Sequence, residues 1–485
     1  MSRVLVETGL RKKTNYFHCP DGYSYHFNRF MRGGRVSLRC IYYNTSKRCM
    51  ARASCDREGS SFRPGVEHRH RCFKSNYFVL ARRFRTAVIN ECKCRESASL
   101  SLKSIYHRVR RRMNVPPEAA ALWRFVTLRP SMQRARSSTL PPIPHTLSEL
   151  ATVLEDERYA FFTRTLDGTD SIFLGKFGQT RVRSRVLIFI SRRLMDYMSR
   201  TKDVMSDGTF SSVPAALDCA QVWTILALRR HHTLPLVRVL MQSKLEACYS
   251  VALSALKAAV PAFKPRTVMC DFEPAQHNAW ESTYPDIKVS GCLFHSSKAI
   301  AGHAKSIGLA VPIRDNEEVD SLVRSMCALA LLPSKKLVKG IEALADRCLA
   351  QGHWWLLKPM FEYIRDTWCI PSRRKMFSVY KCPHRTSNAC ESCNSTLRSA
   401  VRQKHPNVWS FLFALLDLED IVYLDICTLN AGLNPSRKRK ASALANDDVI
   451  AGLTEDLEEG HVTIDEFLRR ASRRIQNVYD QIMNL

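Results

Sequence analysis

Residues 265–295 read PRTVMCDFEPAQHNAWESTYPDIKVSGCLFH, and this stretch decides the fold. It predicts a short buried strand, Thr267 to Cys270, ending on an acid, Asp271. A helix follows from about Pro274, and a second strand runs from Ile287 to Cys292. A strand that delivers a carboxylate at its C-terminal end suits an α/β sheet, where sites gather outside the strand ends.

Upstream, Val204 to Phe210 predicts a strand carrying Asp207 near its end. Gln221 to Leu228 and Leu234 to Met241 predict two more strands, separated by a short basic turn. Glu246 to Val260 has apolar residues at helical spacing and stops before Pro261. The order is β-β-β-α-β-α-β, that of an RNase H-like α/β fold. In such a sheet the first and fourth strands are neighbours, which brings Asp207 beside Asp271. An isolated Asp at a strand end is ordinarily a cap or a solvated turn. Two side by side point to a divalent cation, because Mg²⁺ takes hard oxygen ligands and few protein carboxylates. A two-metal pair about 4 Å apart serves phosphodiester displacement, and a third acid normally joins it.

Asp207-Gly-Thr-Phe, Asp271-Phe-Glu-Pro-Ala and Gly291-Cys292-Leu-Phe-His295 resemble the transposase domain of Mutator-like elements, the MULE group. The resemblance covers roughly residues 140–425. It implies a third acid far downstream, after a helical insertion, on a helix that follows a Thr-Asn-Asn-type signal. Thr386-Ser387-Asn388-Ala-Cys-Glu391, then Asn394, Leu397 and His405-Pro406-Asn407-Val-Trp409, meet that pattern, with Ser387 replacing one Asn. Glu391 is therefore the expected third acid; Glu273 and Glu281 are its rivals. Val319 to Leu332, Lys335 to Ala350 and Trp354 to Trp368 predict the insertion, with Trp354, Trp355, Phe361, Tyr363 and Trp368 in its core. Cys292 and His295 read as half a zinc site or as a buried pair orienting the catalytic centre, and Asn388 joins them as a supporting residue. Cys382-Pro-His384 and Cys390-x-x-Cys393 also have zinc spacing, against a bland reading as thiols on helix faces.

Residues 16–72 form a compact β-rich segment with Gly-rich turns. Cys40, Cys49, His68 and His70 can complete a tetrahedral zinc site, which would supply folding energy to so small a unit; unrelated Cys and His in a loop-rich segment would look the same. Gly22, Tyr25, Arg39-Cys40, Cys49-Met50-Ala51-Arg52 and His68-Arg69-His70 resemble a FLYWCH-type zinc finger. Leu38 stands where that family has tryptophan. The resemblance implies one structural Zn²⁺ on the four residues named. Cys19, Cys55 and Cys72 have no assigned role, and exchange of a ligand with one of them stays open.

From Tyr77 to Arg136 the pattern is helical: Phe78 to Glu91, a helix after Ser99 ending in Arg110-Arg111-Arg112, Glu118 to about Leu128, and a short helix from Pro130 carrying Arg134 and Arg136. These five arginines mark either a helix-turn-helix module entering a DNA groove or a solvated basic face. Thr139 to Pro144 is an extended linker. His145 to about Arg200 is mixed, with an amphipathic helix from Ser184 to Met198. After Leu429 the chain turns polar: a basic cluster, Pro435 to Lys440, consistent with nuclear import; an acidic linker, Asn446 to Glu459; and a terminal helix opened by the Thr463/Glu466 capping box.

Lys+Arg 74 against Asp+Glu 45 gives a net charge of +29, which favours polyanions. No apolar run reaches the length of a membrane span, and the N-terminus lacks the apolar core of a signal peptide. The 18 cysteines then read as reduced thiols plus zinc ligands.

The expected organisation is a finger over 10–75, a helical module over 76–140, the RNase H-like domain over 141–425 with an all-helical insertion at about 300–380, and a polar tail over 426–485. The expected activity is Mg²⁺-dependent transposition through Asp207, Asp271 and Glu391 holding two Mg²⁺. It acts on double-stranded DNA bearing terminal inverted repeats and on target DNA, in the nucleus, with a second copy of the chain as a candidate partner. The rival classes are a domesticated zinc-finger DNA-binding regulator that keeps the fold without cutting, and an adaptor whose body only mediates assembly.

Overall fold

The structure, a computed structural model, describes residues 4–8, 15–46, 48–56, 58–68, 72, 75–94, 97, 100–229, 232–382, 384–385, 388–401, 403–435 and 441–483. The chain divides into two compact units, Met1–Pro142 and Ile143–Leu485.

The first unit opens with six antiparallel strands in sequence order: β1 (Leu5–Thr8), β2 (Asn15–His18), β3 (Ser24–Phe30), β4 (Val36–Cys40), β5 (Arg52–Cys55) and β6 (Arg63–Pro64). The β3–β4 reversal uses Gly33 and Gly34, both at φ near +77°, where a Cβ would be strained. Alternation along β4 buries Val36, Leu38 and Cys40. Leu38 is fully buried with Val4, Tyr25, Ala53 and Cys55.

Four helices follow: α1 (Ser75–Lys93), α2 (Leu102–Arg112), α3 (Pro117–Leu122) and α4 (Phe125–Ser137). They share a core of Phe84, Val88, Ile105, Val109, Leu128 and Met132 among others. The expected break at Pro130 falls instead at Trp123–Arg124, and Pro130 lies inside α4. The restart at Phe125 lets Leu128, Met132 and Ala135 bury together. Pro130 forfeits only the bond to the carbonyl of Val126, a solvent-exposed residue.

The second unit is built on one mixed sheet. Before it comes α5 (Leu147–Glu155). Its strands are β7 (Phe173–Phe177), β8 (Val186–Phe189), β9 (Asp203–Thr209), β10 (Gln221–Arg229), β11 (His232–Met241), β12 (Thr267–Met269) and β13 (Lys288–Ser290), in the order β13-β12-β9-β10-β11-β8-β7. Strands β9, β10 and β11 form an antiparallel meander, while β12 lies parallel to both β9 and β13. The first and fourth strands of the meander-plus-crossover are thus adjacent.

The expected helix from Ser184 to Met198 is corrected. Val186–Phe189 is a fully buried strand against β11, and only α6 (Arg192–Met198) is helical. Four consecutive buried apolar residues fit a strand covered on both faces rather than an amphipathic helix.

Helices α7 (Glu246–Ala259) and α8 (Pro274–Thr283) cover one face of the sheet, where Trp223, Tyr249 and Trp280 meet. The insertion comprises α9 (Leu293–Ser306), α10 (Ala310–Asp315), α11 (Glu317–Ala328), α12 (Leu337–Ala350), α13 (Trp354–Trp368) and α14 (Pro371–Phe377). Phe361 and Trp368 are in its core and Trp354 and Tyr363 pack at the margin, but Trp355 is 83% exposed, contrary to expectation. Helix α15 (Asn388–Val401) leads back to the sheet, and α16 (Val408–Asn430) packs Val422, Ile426 and Leu429 into the sheet's core.

The polar tail is also corrected. Its supposed acidic linker is α17 (Ala441–Glu459), followed by α18 (Ile464–Arg474) and α19 (Gln476–Met483). Ile450, Leu453, Leu457, Phe467, Leu468, Ile475 and Tyr479 are buried in the core of the insertion. Acids on the exposed faces of α17 mask an apolar stripe at i, i+3 and i+7. Residues 436–440, most of the basic cluster, lie outside the described residues.

Candidate active site and metal centre

The sheet places three residues in one row. In the parallel ladders Met269 stands opposite Met205 on β9 and Ser290 on β13. Two residues further along each chain are Asp207, Asp271 and Cys292. The period of two along a strand puts these on the same face as the paired residues. The intervening residue of β9 points the other way: Ser206 accepts from Gln276 Nε2 (2.7 Å) and Trp280 Nε1 (3.1 Å), which seats α8 on the back of the sheet.

Burial first, and then the charge of Asp271, raise the Asp207 carboxyl to about 6. The Gly208 N–H, His295 and Asn394 act in the opposite sense. Asn394 Nδ2 on α15 donates to Asp207 Oδ2 at 2.7 Å. His295, in the first turn of α9, brings Nδ1 within 2.7 Å of Asp271 Oδ1. Burial opposes charge on His295, but the adjacent Asp271 and Cys292 outweigh it and raise its pKa. Asp271 and His295 are both about one-third exposed, so the site opens to solvent.

Glycines make room for this arrangement. A Cβ on Gly208 would lie 2.3 Å from Gln221 Oε1. Gln221 donates to Tyr249 Oη (2.7 Å), which in turn donates to Glu273 Oε2 (3.0 Å). Glu273 is therefore engaged away from the row, and Glu281 is exposed on α8. A Cβ on Gly291 would lie 2.2 Å from the ring of Phe272, which meets Trp368 of the insertion edge-on. The Gly291 N–H donates to Met376 O and the Leu293 N–H to Arg385 O, both at 2.8 Å, so the end of the insertion braces the start of α9.

Glu391 lies in the first turn of α15, exposed, one turn before Asn394. Helix α15 packs on β9, and its buried side towards Asp207 and Asp271 carries Cys390. Asn388 starts α15, while Thr386 and Ser387 lie outside the described residues. In the sequence Asn394 belongs to the downstream pattern and carries no role of its own; its spacing of three from Glu391 is the available signal. Cys382 Sγ is 3.3 Å from Ser290 Oγ, against β13.

In the first unit, Cys40, Cys49, His68 and Cys72 hold their ligand atoms within 4.8 Å of one another. Among the described residues this is the one group of three or more His, Cys, Asp or Glu drawn together as a metal would draw them. His70 lies outside the described residues, and Cys72 stands at the fourth corner. Cys40 Sγ and Cys72 Sγ are 4.0 Å apart, close to the roughly 3.8 Å that a tetrahedral zinc with 2.3 Å Zn–S bonds requires. Burial pushes the Cys40 thiol up, and the neighbouring Cys72 and Cys49 add to it. His68 Nδ1 lies 3.4 Å from Cys49 Sγ, while its Nε2 is 3.0 Å from Tyr25 Oη, whose hydroxyl also reaches Asp21. One ring nitrogen thus faces the thiols and the other is fixed from behind.

The arginines of the helical module separate into distinct environments. Arg112 pairs with Glu91 at 3.0 Å, beside Arg108 at 2.6 Å. Arg136 turns inward and donates to Leu100 O at 2.7 Å. Arg110 Nε donates to Val115 O at 3.3 Å, and Arg111 and Arg134 are exposed.

Residues 204–299 match the MULE transposase domain. The match runs from β9 into α9 and includes Asp207, Asp271, Cys292 and His295, but ends before Glu391. No curated protein matches the chain. A transposase domain implies DNA as a partner and divalent metal as a cofactor. Among the described residues no helix is long and apolar enough to cross a membrane.

Proposed function

We propose that the chain is a DNA transposase of the Mutator-like type, with an RNase H-like catalytic unit that cuts phosphodiesters and transfers strands. The observation that carries this is the level pair Asp207–Asp271 on adjacent parallel strands inside the matched domain. The strand order, an antiparallel meander joined to two parallel strands, supports the RNase H-like reading.

Two neighbouring carboxylates, Asp207 raised in pKa by burial and then by the charge of Asp271, are a fitting seat for Mg²⁺, with Glu391 on α15 as the third ligand. Bound there, Mg²⁺ supplies charge neutralisation and Lewis-acid polarisation at phosphorus. Asn394 fixes the orientation of Asp207. His295 holds a proton at Nδ1 and keeps Asp271 aligned. Hydrolysis at an element end leaves a 3′-hydroxyl, which then displaces the 3′-oxygen of a target phosphodiester. No Ser, Tyr or Cys nucleophile is required. The first unit, FLYWCH-like with one Zn²⁺, would recognise element ends, and the protein would work in the nucleus.

The test is Mg²⁺-dependent cleavage and strand transfer on DNA carrying the genomic flanks of the coding region. Wild type should cut, and Asp271→Asn should lose at least about a hundredfold. Equal inactivity of the two, with specific DNA binding retained, favours the second reading, a domesticated regulator. One observation speaks for that reading: Asp207 is engaged by Asn394 and Asp271 by His295, while Glu391 faces solvent.

A further inference from the structure

Helix α2 carries three different stripes. Leu102, Ile105, Tyr106 and Val109 face the core of the module. Arg108 and Arg112, four apart, lean on Glu91 of α1. The third stripe is Lys103, His107, Arg110, Arg111 and Asn114, at i, i+4, i+7, i+8 and i+11. With Ser101, Ser104 and Val115 it lines an open groove of about 660 Å³.

Every charged side chain among the described lining residues is basic. Among the described residues Lys103, His107 and Arg111 have no acidic partner, whereas the neighbouring Arg108 and Arg112 do. The basic charge of α2 is therefore divided: one pair is neutralised inside the module, and one stripe is left facing a concavity. The groove ends at Asn114, whose φ of +49° stops the helix and turns the chain away. Along the helix axis the stripe spans about 16 Å at 1.5 Å per residue, the length of several phosphates on one DNA strand at 3.4 Å each. Lysine, arginine, serine and asparagine are the side chains that take phosphate oxygens; they position a protein on the duplex without reading sequence.

We propose that this groove seats the phosphodiester backbone of duplex DNA, so that α2 is a backbone clamp, in place of base reading by the basic last helix α4. The proposal rests on the DNA-acting function above and deepens it.

The test is binding of the full chain to a random-sequence DNA duplex across a salt series. For Lys103→Gln/Arg110→Gln/Arg111→Gln, the slope of log K against log salt should fall by about 2–3, at about 0.9 per lost phosphate contact, equally for different sequences. The charge-matched Arg124→Gln/Arg129→Gln/Arg134→Gln, all exposed positions at and on α4, should change it by less than about 1. Should the triple variant fail to fold, the single exposed changes Lys103→Gln and Arg111→Gln should each remove about 1 from the slope. An unchanged slope in the groove variants, a larger loss from the α4 variant, or loss of RNA binding alone overturns the proposal while leaving the transposase reading intact. If the wild type does not bind duplex DNA at all, the DNA-acting reading fails and the clamp with it.

Discussion

Asn394 donates a 2.7 Å hydrogen bond to Asp207 from the helix that also carries Glu391 one turn earlier. The contact ties α15, which follows the long insertion, to the first strand of the meander. It makes Asn394 a positioning residue and leaves Glu391 free to approach a cation from the exposed side. The two roles separate by substitution. Glu391→Gln should cost at least about a hundredfold in single-turnover cleavage, as for loss of a metal ligand. Asn394→Ala should cost about tenfold, as for loss of an outer partner, and should be rescued by raising Mg²⁺. Equal losses from both, neither relieved by Mg²⁺, would remove the distinction.

The pair Asp207–Asp271 also sets a pH dependence of stability. The folded-state pKa of Asp207 is raised to about 6, above the 3.8 of an unperturbed carboxyl, by burial and by Asp271. The folded form thus holds the proton more tightly than the unfolded form. The resulting stabilisation is fully present below about pH 4 and is lost as pH rises through about 6. Without divalent metal, Asp207→Asn should therefore melt higher than wild type at pH 8, by on the order of 1–2 kcal/mol after allowing for screening. At pH 4 the difference should vanish, and saturating Mg²⁺ should reverse its sign at pH 8. Thermal melts at the two pH values check this.

The proposal of zinc on Cys40, Cys49, His68 and Cys72 predicts one zinc per chain by elemental analysis, lost in Cys72→Ser as completely as in Cys49→Ser. Tyr25→Phe keeps the four ligands but removes the hydroxyl behind His68 Nε2. Zinc should remain stoichiometric in that variant, with affinity lower by about 10–100-fold in a chelator competition. Full zinc retention in Cys72→Ser would return the fourth position to His70.

The sheet was legible because its strands announce themselves locally: Val222, Trp223 and Ile225 in β10 and Val237, Val239 and Met241 in β11 have strong strand propensity and sit between clear turns. Asp207 and Asp271 were legible because strand order alone makes their strands neighbours. Strand β8 was hidden: Val-Leu-Ile-Phe is an apolar run that periodicity cannot assign, and Arg192 to Met198 just after it is helical. The choice of Cys72 from the three spare cysteines of the finger, and the role of Asn394, were hidden for another reason. Each of the two residues acts by meeting another 32 or 187 positions away, and a single sequence holds no record of such pairings. Of the C-terminal helices, α18 is legible from its capping box, whereas α17 is not, because its acids dominate the composition and mask the apolar stripe of Ile450, Leu453 and Leu457.

Those C-terminal helices carry the last prediction. Phe467, Leu468, Ala471 and Ile475 of α18 and its end enter the same core as Leu322, Met326, Leu344 and Cys348 of the insertion. Arg385, whose carbonyl holds the start of α9, also pairs with Asp447 of α17 at 2.5 Å. The end of the chain therefore supports the segment that bears His295. Deleting residues 441–485 should expose the apolar face of α11 and α12 and give an aggregation-prone protein, not a clean truncation of a polar tail. Phe467→Ala alone should cost about 3–5 kcal/mol, as for a fully buried phenylalanine. Asp447→Asn is milder: it leaves the core packed and should lower the melting temperature by only a few degrees. Its larger effect should be on cleavage, through a looser α9 start and His295. A soluble, cooperatively melting 1–440 fragment with wild-type stability would show that α17 to α19 are dispensable to the core.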